Sequence, residues 1–517
     1  MASKTFSKSL LLFTRFLLRR PRTTSHKSHG GSRPQHYRPP APDFPTSRTI
    51  VSDLELGLLR SSSTFPYLML VALEAGGLLR GLLLLLLYPL ISCLGHETRM
   101  RAMVMVCFLG LRKKEVVRVG RAVLPKFFME CVGAEGFEVL MRGRRRVCVT
   151  SMPTVMVEGF VRGYLGADVV VGRELKVVGG YYTGLMEEMG EVDLRLEVFG
   201  SGRVTEDGVV GFGGCEHCAF LHKRKIFEYC KEVYMVNEAE KQRWHPLPRS
   251  KYPKPLVFHD GRIDFRPTPA STLCMFLWLP LGFLLAIARA LVFIFLPYAL
   301  SIPLLAFLGM QTREATSSSV SAHHRGRLYI CNHRTLLDPL YIAAILRQRR
   351  VTATTYSLSR VIEWISPVKT IRLTRNREED NASMKRLLEE ESGDVVVCPE
   401  GTTCREPYLL RFSPLAAEVC GEVVPVALTS AVSMFYGTST GKCKFMDPFY
   451  FLMNPIPCYE VEIMAAVSTG SIDGKECSSR EMANHLQREI AKALGFECTS
   501  LTRKDKYLML AGNEGRI

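Results

Sequence analysis

Apolar residues in this chain gather into a few dense blocks separated by long stretches of mixed composition, and the spacing inside each stretch predicts its element. Residues 49–52 read as a short β-strand ending at Asp53. An apolar stretch follows at 65–95, interrupted by Glu74 and Arg80. Its uncharged part, 81–95, falls short of the ~20 residues that a spanning helix needs, so it reads as an interfacial, re-entrant or flank-assisted spanning helix. From about 112 to 258 strand-like runs such as 147–150 and 168–171 alternate with helical patterns, as in an α/β domain. Four prolines among Lys, Arg and Ser over 246–255 mark a linker.

The densest block lies at 273–309. Residues 273–288 carry no charge, Arg289 interrupts, and 290–309 is a second uncharged run of about spanning length. Pro280, Pro297 and Pro303 kink or break such helices, so the block reads as a helical hairpin, or as one span and one re-entrant segment. Beyond residue 311 alternation resumes. Residues 328–331 are strand-like, a helix follows from 336, and Ile371 and Leu373 alternate with Arg372 as on a half-buried strand. Residues 380–391 read as a helix with Gly393 as its C-cap, and 395–398 as a buried strand. Ser478 and Glu481 form a capping box; Met482, Leu486, Ile490 and Leu494 make the apolar stripe of the helix, and Gly495 ends it. The fold class is therefore α/β: a basic segment (1–45), a first α/β domain (46–258) with an inserted membrane-associated helix (about 65–95), a hydrophobic hairpin (271–310) and a second α/β domain (311–517).

Composition narrows the partners. Hydrophobic residues make up 47% of the chain, and their concentration in blocks favours membrane contact over a larger core. The net charge of +17 suits nucleic acid or anionic surfaces and substrates, including lipid headgroups, phosphates and CoA. No RNP, zinc-finger or basic-zipper pattern accompanies it, which excludes nucleic acid as the expected partner. The first 42 residues hold nine Lys and Arg and no acid, as in a mitochondrial transit peptide, a membrane-surface segment or a basic tail. The endoplasmic reticulum and the mitochondrion both stay open as compartments. Sixteen cysteines without a framework indicate reducing surroundings. Cys215 and Cys218, with His217 and His222 nearby, lack the second ligand pair of a structural zinc site, so neither metal nor cofactor is expected.

Three features in order carry candidate chemistry. At a strand-to-helix junction stand Asn332-His333-Arg334-Thr335-Leu336-Leu337-Asp338-Pro339, where a neutral imidazole would take a proton from an alcohol and a carboxylate would fix its tautomer. Next comes the cationic run from Lys369 through Arg372 to Arg375, whose guanidinium forks match phosphate. Pro399-Glu400-Gly401-Thr402-Thr403 then follows a strand; a glycine there lets backbone N–H groups approach phosphate, and Glu400 would orient the acceptor or an arginine.

Together these features resemble the glycerolipid acyltransferase superfamily: residues 332–339 its first block, Arg375 the end of the second, 399–402 the third, and Val424-Pro425-Val426 the fourth. Lys369 and Arg372 depart from the second block, and Thr403 from the third, where Arg405 would supply the missing charge. The phrases at 356–360, 398–412 and 501–507 extend the resemblance to land-plant glycerol-3-phosphate acyltransferases, over nearly the whole chain. The resemblance implies glycerol-3-phosphate as acceptor, acyl-CoA as donor, often the sn-2 position as target, and a place in phospholipid or extracellular lipid polyester synthesis. It assigns His333 and Asp338 to catalysis and Arg375, Glu400, Gly401 and Thr402 to substrate, while Arg372 is a substrate candidate from its guanidinium alone. A lysophospholipid acyltransferase would use the same motifs.

It also implies an N-terminal domain similar to haloacid-dehalogenase phosphatases. Such an enzyme needs a carboxylate nucleophile, a second carboxylate two residues on, and acids for magnesium. Here the motif reads Asp53-Leu54-Glu55-Leu56-Gly57; Thr150 fits the hydroxyl position, Lys176 is the candidate lysine, and Glu216 is the sole acid where metal ligands belong. So sparse a set points to an inactive phosphatase domain; a bifunctional acyltransferase/phosphatase, a hydrolase and a membrane adaptor are the alternatives.

Overall fold

The computed structural model describes residues 35–36, 49–187, 209–213, 226–228, 230–252, 258–316, 326–347, 351–356, 360–374, 376–389, 393–440, 444–472 and 474–512. The chain divides into two compact units, 1–120 with 127–255, and 121–126 with 256–517.

The first unit is built on the parallel strands β1 (Thr49–Asp53), β2 (Arg145–Pro153) and β3 (Val169–Arg173), with a hairpin β4 (Leu175–Val178) and β5 (Tyr181–Met186), then β6 (Val209–Phe212) and β7 (Glu232–Met235). The sheet runs Gln35–His36, β7, β6, β1, β2, β3 and is parallel throughout. Central parallel strands are covered on both faces, which is why β1 can hold Ile50 and Val51 fully buried in succession. Asp53 pairs in register with Val149, so the end of β1 opens beside Thr150.

The apolar stretch after β1 is not one helix. It splits at Gly77, whose φ of +84° ends one helical course and begins another. The first part, α1 (Phe65–Glu74), is buried along almost its whole length. The second, α2 (Leu78–Ser92), is 15 residues long and exposes Leu79, Leu83, Leu86 and Leu90 along one face. Arg80 is not a break in the pattern but a tether: its guanidinium donates to the carbonyls of Cys107 (2.9 Å) and Leu109 (2.7 Å), at the end of α3 (His96–Phe108).

The second unit opens with α5 (Pro269–Phe295), numbered after α4 (Thr154–Tyr164) of the first unit, and continues with α6 (Tyr298–Phe307). Among the described residues α5 is the one helix long and apolar enough to cross a membrane; at 27 residues it extends about 40 Å. The 10 residues of α6 reach about 15 Å, half a bilayer core, so the second full span of a hairpin is not formed. The break falls at Leu296, before Pro297, which has no N–H to continue the ladder.

Arg289, read as an interruption of the apolar block, is fully buried. Its five N–H donors reach four carbonyls, those of Leu308 (Nε 3.1 Å, Nη2 2.6 Å), Leu452 (2.6 Å), Asn454 (2.6 Å) and Pro455 (2.9 Å). Thr272, Met275, Gly282, Ala286 and Phe293 share its buried stripe, while Leu273, Leu277, Leu281, Leu284, Leu291 and Phe295 are exposed on the rest of the helix.

The sheet of this unit comprises β8 (Gln311–Thr316), β9 (Leu328–Cys331), β10 (Val351–Thr355), β11 (Lys369–Arg372), β12 (Asp394–Val397), β13 (Glu422–Ala431) and β14 (Cys458–Ile463). The main path is β11-β10-β12-β9-β13-β14-β8, parallel except between β13 and β14, and off this path Val467–Ser468 pairs antiparallel with the start of β13. The late helix α9 (Ser479–Leu494), which follows α7 (Asp338–Ile345) and α8 (Asp447–Leu452), has its capping box at Ser478 and Glu481. It buries Met482, Leu486 and Ile490 and ends at Gly495 with φ +65°.

Replacing Arg289 with leucine would strand four carbonyls, two of them buried and two half-buried. The expected cost is about 3 kcal/mol or more, visible as a lower unfolding temperature and faster proteolysis in detergent, with Arg289→Lys intermediate. Wild-type stability of Arg289→Leu would show that these bonds hold nothing.

Candidate active site

The end of β9 and the start of α7 place His333 and Asp338 at the C-terminal edge of the parallel strands, where such sheets present their sites. Asp338 is the first residue of α7 and is completely buried. Its Oδ2 accepts from His333 Nδ1 (2.8 Å) and Arg334 N (2.7 Å). Its Oδ1 accepts from Thr335 N (2.9 Å), Thr335 Oγ1 (3.3 Å) and the Tyr459 hydroxyl. A desolvated carboxylate survives only with such a set of donors, and here the set also fixes the histidine tautomer. With Nδ1 committed, Nε2 is the nitrogen left to take a proton. The His333 side chain keeps 17% exposure and Asp338 none, so the imidazole is the member that meets substrate.

Burial alone would push the His333 pKa down, but Cys398 and the Asp338 carboxylate beside the ring raise it well above the ordinary 6.5. Cys398 has its own pKa raised well above 9, by its contact with Cys331 (Sγ to Sγ 3.5 Å) and by burial, so it is a neutral thiol. Asp338 is then the charge that sustains the shift.

The loop after β12 holds the histidine backbone. Glu400 Oε1 accepts from His333 N (2.8 Å), Glu400 Oε2 accepts from Leu410 N (3.0 Å), and the His333 carbonyl accepts from Cys404 N (2.7 Å). Both Glu400 oxygens thus hold backbone amides, and among the described residues no arginine forms an ion pair with it. It is buried, which lifts its pKa to about 7. Gly401 turns the chain with φ +65°, a conformation that a Cβ would strain. Arg334 clamps the same loop, donating to the carbonyls of Cys404 (2.8 Å), Arg405 (2.9 Å) and Glu406 (2.8 Å). Asn332 ties β9 to β13 through a reciprocal pair with Leu428 (2.9 and 2.8 Å).

His333 opens into a cavity of about 610 Å³. Its wall includes Phe293 of α5, Leu336, Leu340, Ile365, Phe449 and Leu452, together with Gly401, Thr402 and Thr403. Of the other substrate candidates, Arg372 turns to Glu363, bonding both its carboxylate oxygens at 2.8 Å, because that acid sits on the helix preceding β11. Arg405 braces the loop against Thr438 and Gly261 and does not line the cavity. Arg375 lies outside the described residues. Donor atoms of His333, Asp338 and Cys398 fall within 4.8 Å of one another. Both Asp338 oxygens are already engaged and the thiol is protonated, so the trio fits a hydrogen-bond relay better than a metal cage.

In the first unit Asp53 ends β1 and accepts from Leu56 N (2.9 Å), capping a π-helical turn at Leu54–Leu58. Glu55 lies in that turn and is buried. Its Oε1 accepts from Thr150 Oγ1 (2.7 Å), Ser151 N (2.8 Å), Ser151 Oγ (2.7 Å) and Met152 N (3.3 Å). The register of β2 against β3 shifts between Val149 and Pro153, which frees these amides from the ladder. Lys176 is exposed on the β4–β5 hairpin and does not join this group. A different lysine does: Lys241 is buried and its Nζ reaches the Glu55 carbonyl at 2.8 Å. Glu216, Cys215, His217, Cys218 and His222 lie outside the described residues. Tyr459 and Lys241 lack any local motif; only burial of a polar side chain far along the chain marks them.

Residues 49–236 match the family model described as glycerol-3-phosphate acyltransferase RAM2-like, HAD-like domain, and residues 313–429 match the acyltransferase model. The chain is 49% identical to the Arabidopsis thaliana protein named probable glycerol-3-phosphate acyltransferase 3, over 99% of this chain and 98% of that one. It is 45% identical to glycerol-3-phosphate acyltransferase 1 of the same plant, over 91% of this chain and 82% of the relative. Identity to glycerol-3-phosphate acyltransferase RAM2 of Petunia hybrida is 41%, over 89% and 96% of the two chains.

Because its pKa is raised, His333 should become reactive toward diethyl pyrocarbonate only above the ordinary histidine range, followed by mass spectrometry of its peptide across pH. Asp338→Asn removes the charge that favours the imidazolium, so its reactivity should rise at lower pH. An unchanged profile in that variant would mean that Asp338 does not set the titration.

Proposed function

The chain belongs to the plant glycerol-3-phosphate acyltransferase family, and on that premise we propose that it transfers an acyl group from acyl-CoA to a hydroxyl of glycerol-3-phosphate, giving lysophosphatidic acid. The observation that carries this reading is the His333–Asp338 pair, with the ring beside Cys398 at a cavity whose wall is largely apolar. The acceptor hydroxyl loses its proton to Nε2 of the neutral His333 imidazole, the form that the raised pKa places in the upper pH range, as its oxygen attacks the thioester carbonyl. The new ester C–O bond forms, the C–S bond breaks, and the imidazolium returns the proton to the departing CoA sulfur. Asp338 stabilises the imidazolium in between. Arg375 and the Gly401–Thr402 turn are the proposed holders of the acceptor phosphate. The sn-2 position follows the family resemblance and no particular side chain.

Membrane attachment through α5 is part of the proposal, supported by its exposed leucines; the leucine face of α2 supports a second, interfacial contact. The endoplasmic reticulum is the proposed compartment, and the free thiols among the described residues suit its cytosolic face.

We also propose that the first unit does not hydrolyse phosphate. Glu55 places an anion in the cradle of Thr150, Ser151 and Met152, the donors that would otherwise surround a phosphate oxygen. A phosphoryl group entering there would meet both a filled site and a like charge.

Membranes carrying the protein should convert labelled glycerol-3-phosphate and acyl-CoA to lysophosphatidic acid, with less turnover of lysophosphatidic acid as acceptor. His333→Ala should lower kcat by roughly 10³-fold at equal protein content; near-normal turnover would refute the mechanism. The product should keep its phosphate, and Asp53→Asn should change nothing. Phosphate release that disappears in Asp53→Asn would show a working phosphatase instead.

A further inference from the structure

The helix Arg503–Ala511 brings a second chemistry to the cavity that holds His333. Arg503 and Tyr507, one turn apart, line it together with Lys444. Lys444 Nζ lies 2.5 Å from the Tyr507 hydroxyl and 5.0 Å from the centre of its ring. The Arg503 guanidinium carbon lies 5.2 Å from the same ring centre. An ammonium donating to the phenol oxygen leaves the phenol O–H to donate in turn. Burial would raise the Tyr507 pKa, yet Lys444, Lys506 and Arg503 bring it below the ordinary value, so the field here is cationic.

The scaffold holds this wall firmly. Thr502 and Asp505 form a capping box at the start of the helix. Lys506 is buried and donates to the carbonyl of Thr403, tying the helix to the turn that also lines the cavity. Among the described residues, Lys444 and Arg503 are the cations in the cavity wall besides His333, and Arg372 pairs with Glu363. An anion drawn into so apolar a space needs compensating donors.

We infer that Arg503, Lys444 and Tyr507 form a subsite for a phosphate monoester. This rests on the acyltransferase reading, which supplies two such groups: the phosphate of the acceptor and the 3′-phosphate of CoA.

The test uses the full chain in membranes, comparing wild type with Arg503→Ala, Lys444→Ala, the double variant and Arg503→Lys. If the subsite holds the acceptor, the KM for glycerol-3-phosphate rises roughly 10- to 100-fold in the alanine variants, that for acyl-CoA stays within about twofold, and Arg503→Lys recovers part of the loss. If it holds the donor, the KM for acyl-CoA rises instead, and acyl-(3′-dephospho)-CoA is used equally by variant and wild type. Unchanged KM values for both substrates overturn the proposal, as does a fall in kcat alone. A second readout is independent of turnover: inorganic phosphate should raise the unfolding temperature of the wild type and not of the double variant. A wild type that never acylates glycerol-3-phosphate but gains that protection would sink the acyltransferase reading and keep the subsite; equal protection of both proteins would sink the subsite.

Discussion

A single buried carboxylate organises the second unit. Asp338 has no access to water, and its charge is tolerable only because five donors converge on it. Those donors come from the turn after β9 and from β14, so satisfying one anion fixes the end of a strand, the start of a helix and the antiparallel strand of the sheet together. The histidine is one donor among five, and its orientation is a by-product of that neutralisation. Glu400 repeats the device one layer out, holding the backbone N–H of His333 as Asp338 holds its ring. A site built this way is preorganised, since its groups cannot relax without uncovering a charge.

Much of this was legible in the linear sequence where the physics is local. The strand, turn and helix around His333 follow from a short apolar run, a polar break and a proline at the start of the helix, and the cap and stripe of α9 follow in the same way. What was hidden depends on distance in the chain. Tyr459 stands 121 residues beyond Asp338 and reaches it only through the pairing of β13 with β14. Arg372 looked available for phosphate because a strand pattern reveals its faces and not the acid on the preceding helix. The 65–95 stretch looked like one membrane element because hydropathy does not register that a single glycine at positive φ divides it into a core helix and a surface one.

The first unit satisfies the polar groups at its strand ends from within. Its parallel sheet still ends β1 with an aspartate beside a hydroxyl-bearing strand, and the bulge in β2 still turns amides toward the gap. Glu55, one methylene longer than an aspartate, has enough reach to satisfy those donors itself. The local energetics then favour a closed element, stabilised by these hydrogen bonds.

The donors of Arg289 also impose an order on biogenesis. Leu308 follows it by 19 residues, but the Asn454 carbonyl is 165 residues away. At ribosomal speeds the guanidinium waits on the order of 10 to 30 s for that segment to be made. Until then this long apolar helix carries a guanidinium that only the Leu308 carbonyl can meet, and its place in the fold stays unsettled. The helix reaches its resting place in the fold only when the segment at 452–455 arrives to hold it there.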